Sequence, residues 1–312
     1  MSRKALFCYF IFFILLFVLS CKQKTTQKAY EMGESSKSIN LQKLPLMPLD
    51  STQTVLSKVD LSPYAPVVAA QNYPNCYAYA SAYTARSLLY NVTNHILGSP
   101  HDSEFSTAFV EKIIDPNPDD CMKDANDVTQ ACYVMAYNGI VKRIEFPDDC
   151  TNQKITHQDS VNAKLYLVNA YRIFTGMTDP DTIIEAIKIQ LSKKIPVVLG
   201  WVNVPSFNPG ANGKDLWEPT SNETASVDGN SSPSHAICVI GYDNNKFTGA
   251  FLVQSSWGLN WGDSGRIWIK YHDLAHFSMI GMAIANPTRN FIQLMKSKTL
   301  FSPDQYYLQK LQ

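Results

Sequence analysis

The sequence predicts an α+β protein with two lobes, because helical patterns fill the first half of the chain and strand patterns the second. The 312 residues are 45% hydrophobic and 12% aromatic, which is enough apolar material for one large folded domain. Only 17% are charged, and 27 basic side chains balance 27 acidic ones. The chain therefore lacks the basic excess of a nucleic-acid-binding protein, and no nucleic-acid partner is expected.

Four helices are predicted before residue 193. Residues 74–90 are apolar on nearly every side, which is typical of a buried helix, and Asn75 is a suitable N-cap. The other three are expected at 105–114, 127–137 and 179–192, the last with Pro180 in its first turn.

Strand patterns follow at 195–202, 236–242, 250–254, 266–271 and 279–285, separated by turn residues. The segment 205–233 is rich in Gly, Asn, Ser and Pro and is longer than a simple connection needs. A loop of this length is expected to be functional or mobile.

The N-terminus resembles a bacterial lipoprotein signal. Arg3 and Lys4 precede 16 uncharged residues that are rich in Phe, Leu and Ile, and the run ends in Ser20-Cys21. The resemblance implies a signal peptide at 1–20 and lipidation of Cys21, with a plain anchor helix as the alternative. We therefore expect a lipid-anchored protein of the bacterial cell envelope, on the outer membrane or facing the periplasm.

The remaining chain divides by composition. Residues 21–60 are rich in Lys, Gln, Ser and Thr, which predicts a flexible tether. The folded domain is expected at 61–287, with a helical lobe at about 70–175 and a β lobe at about 176–287. Residues 288–312 form a C-terminal tail.

Five cysteines follow Cys21, an odd number for an exported chain. Cys132 and Cys238 lie in apolar runs and are expected in the core. Cys121 and Cys150 lie in polar turns, where they either pair as a disulfide or stay reduced. Cys76 then stands out, because a thiol at the start of a helix has a lowered pKa and becomes nucleophilic.

Three segments, the first of which contains this thiol, follow one another in the same order as the motifs of a known family. They are Gln71 before Cys76-Tyr77-Ala78-Tyr79, His235-Ala236 before a strand that ends in Gly241-Tyr242, and Ser255-Ser256-Trp257-Gly258-Leu259-Asn260-Trp261-Gly262. Together they resemble the papain-like cysteine peptidases over residues 64–287. The resemblance implies a papain-like fold, with a helical left lobe, an antiparallel β-barrel-like right lobe and the active-site cleft between them.

The resemblance also implies roles for these residues. Cys76 would be the nucleophile and His235 its imidazolium partner, while Gln71 and the N–H of Cys76 would bind the oxyanion. Trp257 would cover the histidine. Ser255 stands where the family has its histidine-orienting asparagine, and it is expected to accept from His235 Nδ1–H, directly or through a water.

Two departures from the family pattern bear on function. Gln71 lies five residues before the cysteine instead of six. Serine at 255 predicts a slower enzyme, and Gln254 is not expected to replace the missing asparagine because adjacent strand residues face opposite sides.

The resulting hypothesis is an exported, membrane-anchored cysteine peptidase that acts on peptides or proteins and uses no cofactor and no metal. One alternative is a catalytically impaired papain-like lipoprotein with a binding or scaffold role. Another is a thiol amidase or acyltransferase that acts on cell-wall peptide.

Overall fold

The computed structural model describes residues 44–49, 52–115, 127–147, 153–176, 178–228 and 230–287, all within one compact unit. The first helix, α1, has an α segment at Cys76–Ala78, a π segment at Tyr79–Arg86 and an α segment at Ser87–Asn94. The other helices are α2 (Thr107–Ile114), α3 (Val128–Tyr137), α4 (His157–Ala163), α5 (Pro180–Ser192), α6 (Ser221–Ser226) and α7 (Tyr271–Phe277). Short 3-10 turns lie at Ser62–Tyr64, His101–Ser103, Lys164–Tyr166 and Lys246–Thr248.

In the described ranges the strands form one eight-stranded sheet. They are β1 (Lys58–Asp60), β2 (Asn169–Thr175), β3 (Val197–Trp201), β4 (Leu216–Trp217), β5 (His235–Asp243), β6 (Ala250–Gln254), β7 (Arg266–Lys270) and β8 (Ser278–Ala285). The order across the sheet is β2-β8-β3-β5-β6-β7-β4, and β1 pairs with the end of β5. All pairs are antiparallel except β4 with β7, which is parallel.

Helix α1 is buried all round, as its sequence predicts. Every residue from 75 to 89 is buried, and the helix packs against α2, α3 and β5. Two cations fix its second half to the helical lobe through aromatic faces. Arg86 Cζ lies 4.3 Å from the ring centre of Phe105, and Lys142 Nζ lies 3.3 Å from that of Tyr90.

Helices α2, α3 and α5 begin within two residues of their predicted starts, and each follows a capping residue. The side chains of Ser106, Asp127 and Asp179 each accept a hydrogen bond from a backbone N–H in the first turn of α2, α3 and α5. The five predicted strands are all present within two residues of their expected ends.

The predicted boundary between the lobes at 175/176 is wrong by one strand. Residues 169–175 form β2, which pairs with β8 and so belongs to the sheet. A bulge between Arg172 and Phe174 breaks the alternation of buried and exposed side chains. This irregularity removes the period-two signal by which a strand is recognised in sequence.

Part of the predicted tether at 21–60 is folded onto the sheet. Strand β1 pairs with β5, and Leu44 is buried. Met47 N–H donates to the carbonyl of Arg172 over 2.8 Å, and the hydroxyl of Tyr242 donates to the carbonyl of Leu56 over 2.5 Å. Residues 44–49 and 52–60 are therefore attached to the sheet, and the prediction of a tether is wrong for them.

Within the described residues, no helix combines the length and apolar character needed to cross a membrane.

Candidate active site

Cys76 is the first residue of α1, and its side chain is 5% exposed. The preceding Asn75 occupies the predicted N-cap position, but its side chain makes no capping hydrogen bond. Its Nδ2 instead donates to Glu111 Oε1 over 2.8 Å. The position of Asn75 is as predicted, and the expected capping contact is not made.

The start of α1 meets the start of β5 at the thiol. Cys76 Sγ accepts a hydrogen bond from the backbone N–H of Ala236, the residue after His235. The N–H groups of Cys76 and Tyr77 also point toward the sulfur. The fold thus brings Cys76 and His235 together although 158 residues lie between them in the sequence.

His235 and Ser255 lie side by side on two adjacent strands. His235 is the first residue of β5, and Ser255 directly follows the last residue of β6. His235 Nε2 lies 3.0 Å from Ser255 Oγ, and both side chains are buried. The contact with Ser255 is made as predicted, but directly and through Nε2. The predicted use of Nδ1 is wrong, and Nδ1 is the ring nitrogen that remains for the thiol.

Gln254 does not take the place of the family's asparagine, as expected from strand geometry. Its side chain points the other way, where Nε2 donates to the carbonyl of Pro66 and Oε1 accepts from Arg266 Nε. The polar side chain that contacts the His235 ring is therefore that of Ser255.

Trp257 lies flat on the imidazole, as predicted. The ring centroids of His235 and Trp257 are 3.8 Å apart and the planes differ by 12°. Phe207, from the long segment 205–233, packs edge-on against Trp257 and is fully buried. This segment includes β4 and α6, and it supports the cover over the histidine.

Gln71 is held beside the same turn. Its backbone N–H donates to the carbonyl of Ser256 over 2.8 Å, and its side-chain Oε1 accepts from Ser256 Oγ over 2.5 Å. One Nε2 hydrogen goes to the carbonyl of Tyr73, which leaves the second available to a substrate oxyanion. Ser256 was not identified from the sequence as the residue that holds Gln71, although its position next to Trp257 in the motif pointed to the site.

Burial shifts the pKa values of both Cys76 and His235. It raises the pKa of the Cys76 thiol to about 11, against the smaller lowering effect of the three backbone N–H groups. It also lowers the pKa of His235 to about 3. At the thiol, desolvation by burial outweighs the helix N-terminus, against the expectation of a lowered pKa.

Two other predictions about cysteines have different outcomes. Cys132 and Cys238 are fully buried in the core, as predicted. Cys21, Cys121 and Cys150 lie outside the described residues.

In the part of the chain that is described, no group of three or more His, Cys, Asp or Glu side chains is arranged to hold a metal ion.

A thiol at a helix start near a buried histidine is the arrangement that cysteine hydrolases use for covalent catalysis. The family model described as papain family cysteine protease matches residues 121–286, more than half of the chain. The chain therefore belongs to the papain family. The matched range contains His235, Ser255 and Trp257 but not Cys76 or Gln71.

Solved structures with a similar fold include those of three other proteins. Xylellain from Xylella fastidiosa has a TM-score of 0.60 and 19% identity, covering 79% of this chain and 92% of its own. Digestive procathepsin L 3 of Tenebrio molitor has a TM-score of 0.60 and 15% identity, and the match covers 78% of this chain and 74% of the procathepsin chain. Bromelain from Ananas comosus has a TM-score of 0.55 and 16% identity, and the match covers 75% of this chain and 100% of the bromelain chain. No curated protein matches the sequence.

We predict that Ser255→Asn raises the turnover number for peptide cleavage by about threefold or more. A serine hydroxyl both donates and accepts, so it permits either tautomer of neutral His235. An amide oxygen would only accept, which fixes the proton on Nε2 and leaves Nδ1 to take the thiol proton. Steady-state kinetics on a fluorogenic peptide measure the effect, with thermal unfolding to check the fold. Equal or lower turnover in a folded variant would refute this role.

Proposed function

We propose that the protein is a cysteine peptidase that hydrolyses peptide bonds through a thioester on Cys76. The observation that carries the proposal is the contact between the two lobes, in which Cys76 Sγ accepts from the N–H of Ala236 beside His235. Membership of the papain family supports the same reaction class. Peptides and proteins are the proposed substrates.

The chemistry starts from a neutral thiol and a neutral imidazole. His235 Nδ1 takes the proton from Cys76 Sγ as the sulfur attacks the peptide carbonyl carbon. The negative oxygen that forms accepts from the Cys76 N–H and from Gln71 Nε2. The Nδ1 proton then passes to the amide nitrogen, the C–N bond breaks and the amine leaves. Water attacks the thioester with His235 as its base, which releases the carboxylic acid and restores the thiol.

The surroundings of His235 support this sequence of proton transfers. When the ring is protonated, Nε2–H donates to Ser255 Oγ, and the face of the ring is shielded by Trp257. Shielding strengthens the electrostatic contacts of the imidazolium because water is excluded. The two tautomers that Ser255 permits make the enzyme slower than one with an asparagine at this position.

One observation favours a second candidate, a papain-like lipoprotein with a binding role and impaired catalysis. Burial opposes the charged forms of both Cys76 and His235, and a catalytic thiol ordinarily has a lowered pKa. Peptidase activity is nevertheless the better supported candidate, because both reacting groups are present and the backbone N–H of Ala236, next to His235, contacts the Cys76 sulfur. Among the residues that the structure describes, no specific contact favours the amidase or acyltransferase alternative.

We predict that Cys76→Ala and His235→Ala each reduce cleavage of casein at least 100-fold, because each removes a reacting group. Cys132→Ala is the matched control, since it removes a buried thiol of the same domain in α3, and it is expected to keep activity. Mass spectrometry of the products measures the cleavage. Cleavage that survives Cys76→Ala would refute the proposed nucleophile. Binding of peptides without any cleavage by the wild type would establish the second candidate.

We further propose that the mature protein is exported and held at a bacterial membrane by lipid on Cys21. The signal-like residues 1–20 support this proposal, and acyl chains on one residue contribute about 0.8 kcal/mol per buried methylene. Cys21→Ser is expected to move the protein from the membrane fraction to the soluble fraction and to abolish labelling by a palmitate analogue. A Cys21→Ser protein that remains in the membrane fraction would contradict lipid anchoring.

A further inference from the structure

Asn75 has an uncommon conformation for the residue before a helix. Asparagine is among the preferred N-caps, because its side-chain oxygen accepts from the second or third backbone N–H of the helix. In this protein the side chain makes no such bond, although Asn75 occupies the N-cap position of α1. Its Oδ1 is buried and has no hydrogen-bond partner among the residues that the structure describes.

Glu111 holds the Asn75 side chain away from the helix. Glu111 lies in α2, and its Oε1 accepts from Asn75 Nδ2 over 2.8 Å. The contact is partly buried, and Asn75 itself is only 8% exposed. A hydrogen bond to a charged acceptor is stronger than one to a neutral acceptor. The bond to Glu111 therefore offsets the loss of a capping bond at Asn75.

If Asn75 capped the helix, its Oδ1 would compete with Cys76 Sγ for a backbone N–H group of α1. The second and third N–H groups of the helix belong to Tyr77 and Ala78. The Ala78 N–H already donates to the backbone carbonyl of Asn75 over 3.0 Å. The Tyr77 N–H points toward Cys76 Sγ, and a capping Asn75 Oδ1 would draw it away from the sulfur.

We infer that Glu111 is a positioning residue, which keeps Asn75 uncapped so that the first N–H groups of α1 stay directed at Cys76. The inference rests on the proposed function, because it assigns those N–H groups to the reacting sulfur. In this proposal Glu111 acts through its hydrogen bond to Asn75. The effect of removing Glu111 should therefore depend on the side chain at residue 75.

The test is a double-mutant cycle of Glu111→Ala and Asn75→Ala. Alkylation of Cys76 by iodoacetamide at pH 8 is followed by mass spectrometry of its peptide, and the turnover number is measured beside it. Glu111→Ala alone is expected to slow alkylation and turnover about tenfold and to raise the thiol pKa, because Asn75 then caps the helix. In the Asn75→Ala background the same change is expected to have less than a twofold effect.

Two controls separate positioning from charge and from folding. Glu111→Gln keeps an acceptor for Asn75 without the charge, and it is expected to retain at least half of the wild-type alkylation rate. Lys112→Ala changes the next residue of α2 and is expected to behave as wild type. Equal losses from Glu111→Ala in both backgrounds, or no loss in either, would overturn the inference. Alkylation reads the thiol directly, so it decides the inference even if the wild type fails to cleave peptides and the proposed function falls.

Discussion

The contact between the first turn of α1 and the first residues of β5 is the constraint on which the site depends. Cys76 comes from the helical half of the chain and His235 from the sheet, and they meet where the Ala236 N–H reaches the sulfur. Burial of α1 on all sides fixes the direction of the helix. The adjacent strand β6 then places Ser255 on the far nitrogen of the imidazole.

This placement sets two electrostatic effects against each other. Backbone N–H groups at the start of α1 and at Ala236 stabilise a thiolate, whereas the surrounding apolar packing destabilises it. Packing has the larger effect, and it acts on His235 in the same direction, toward the neutral form. Burial therefore disfavours the charged form of both groups. In our proposal the contact between Asn75 and Glu111 favours the thiolate, because it keeps the first N–H groups of α1 directed at the sulfur.

Much of this arrangement could be predicted from the sequence, because its signals are local. The apolar run after Cys76 predicts the buried helix, and His235 and Trp257 lie in short motifs next to clear strands. The fold, the family and the stacking of Trp257 on the histidine followed from those motifs. Strand β2 escaped prediction because a bulge breaks its periodicity.

The remaining differences depend on contacts between distant parts of the chain. Residues 44–49 and 52–60 lie against the sheet, where they hydrogen-bond to the distant residues Arg172 and Tyr242. The orientation of the His235 ring and the diversion of Asn75 depend on partners far away in sequence. The thiol pKa depends on the packing of both lobes, which a helix N-terminus alone does not reveal.

The pH dependence of Cys76 alkylation tests the neutral, buried pair most directly. Because burial raises the thiol pKa and lowers that of the histidine, the rate should rise about tenfold per pH unit from pH 6 to pH 9, as the thiolate fraction does. A plateau of fast alkylation between pH 5 and pH 7 that disappears in His235→Ala would instead reveal a thiolate–imidazolium pair at rest. That result would contradict the control of the reacting pair by burial.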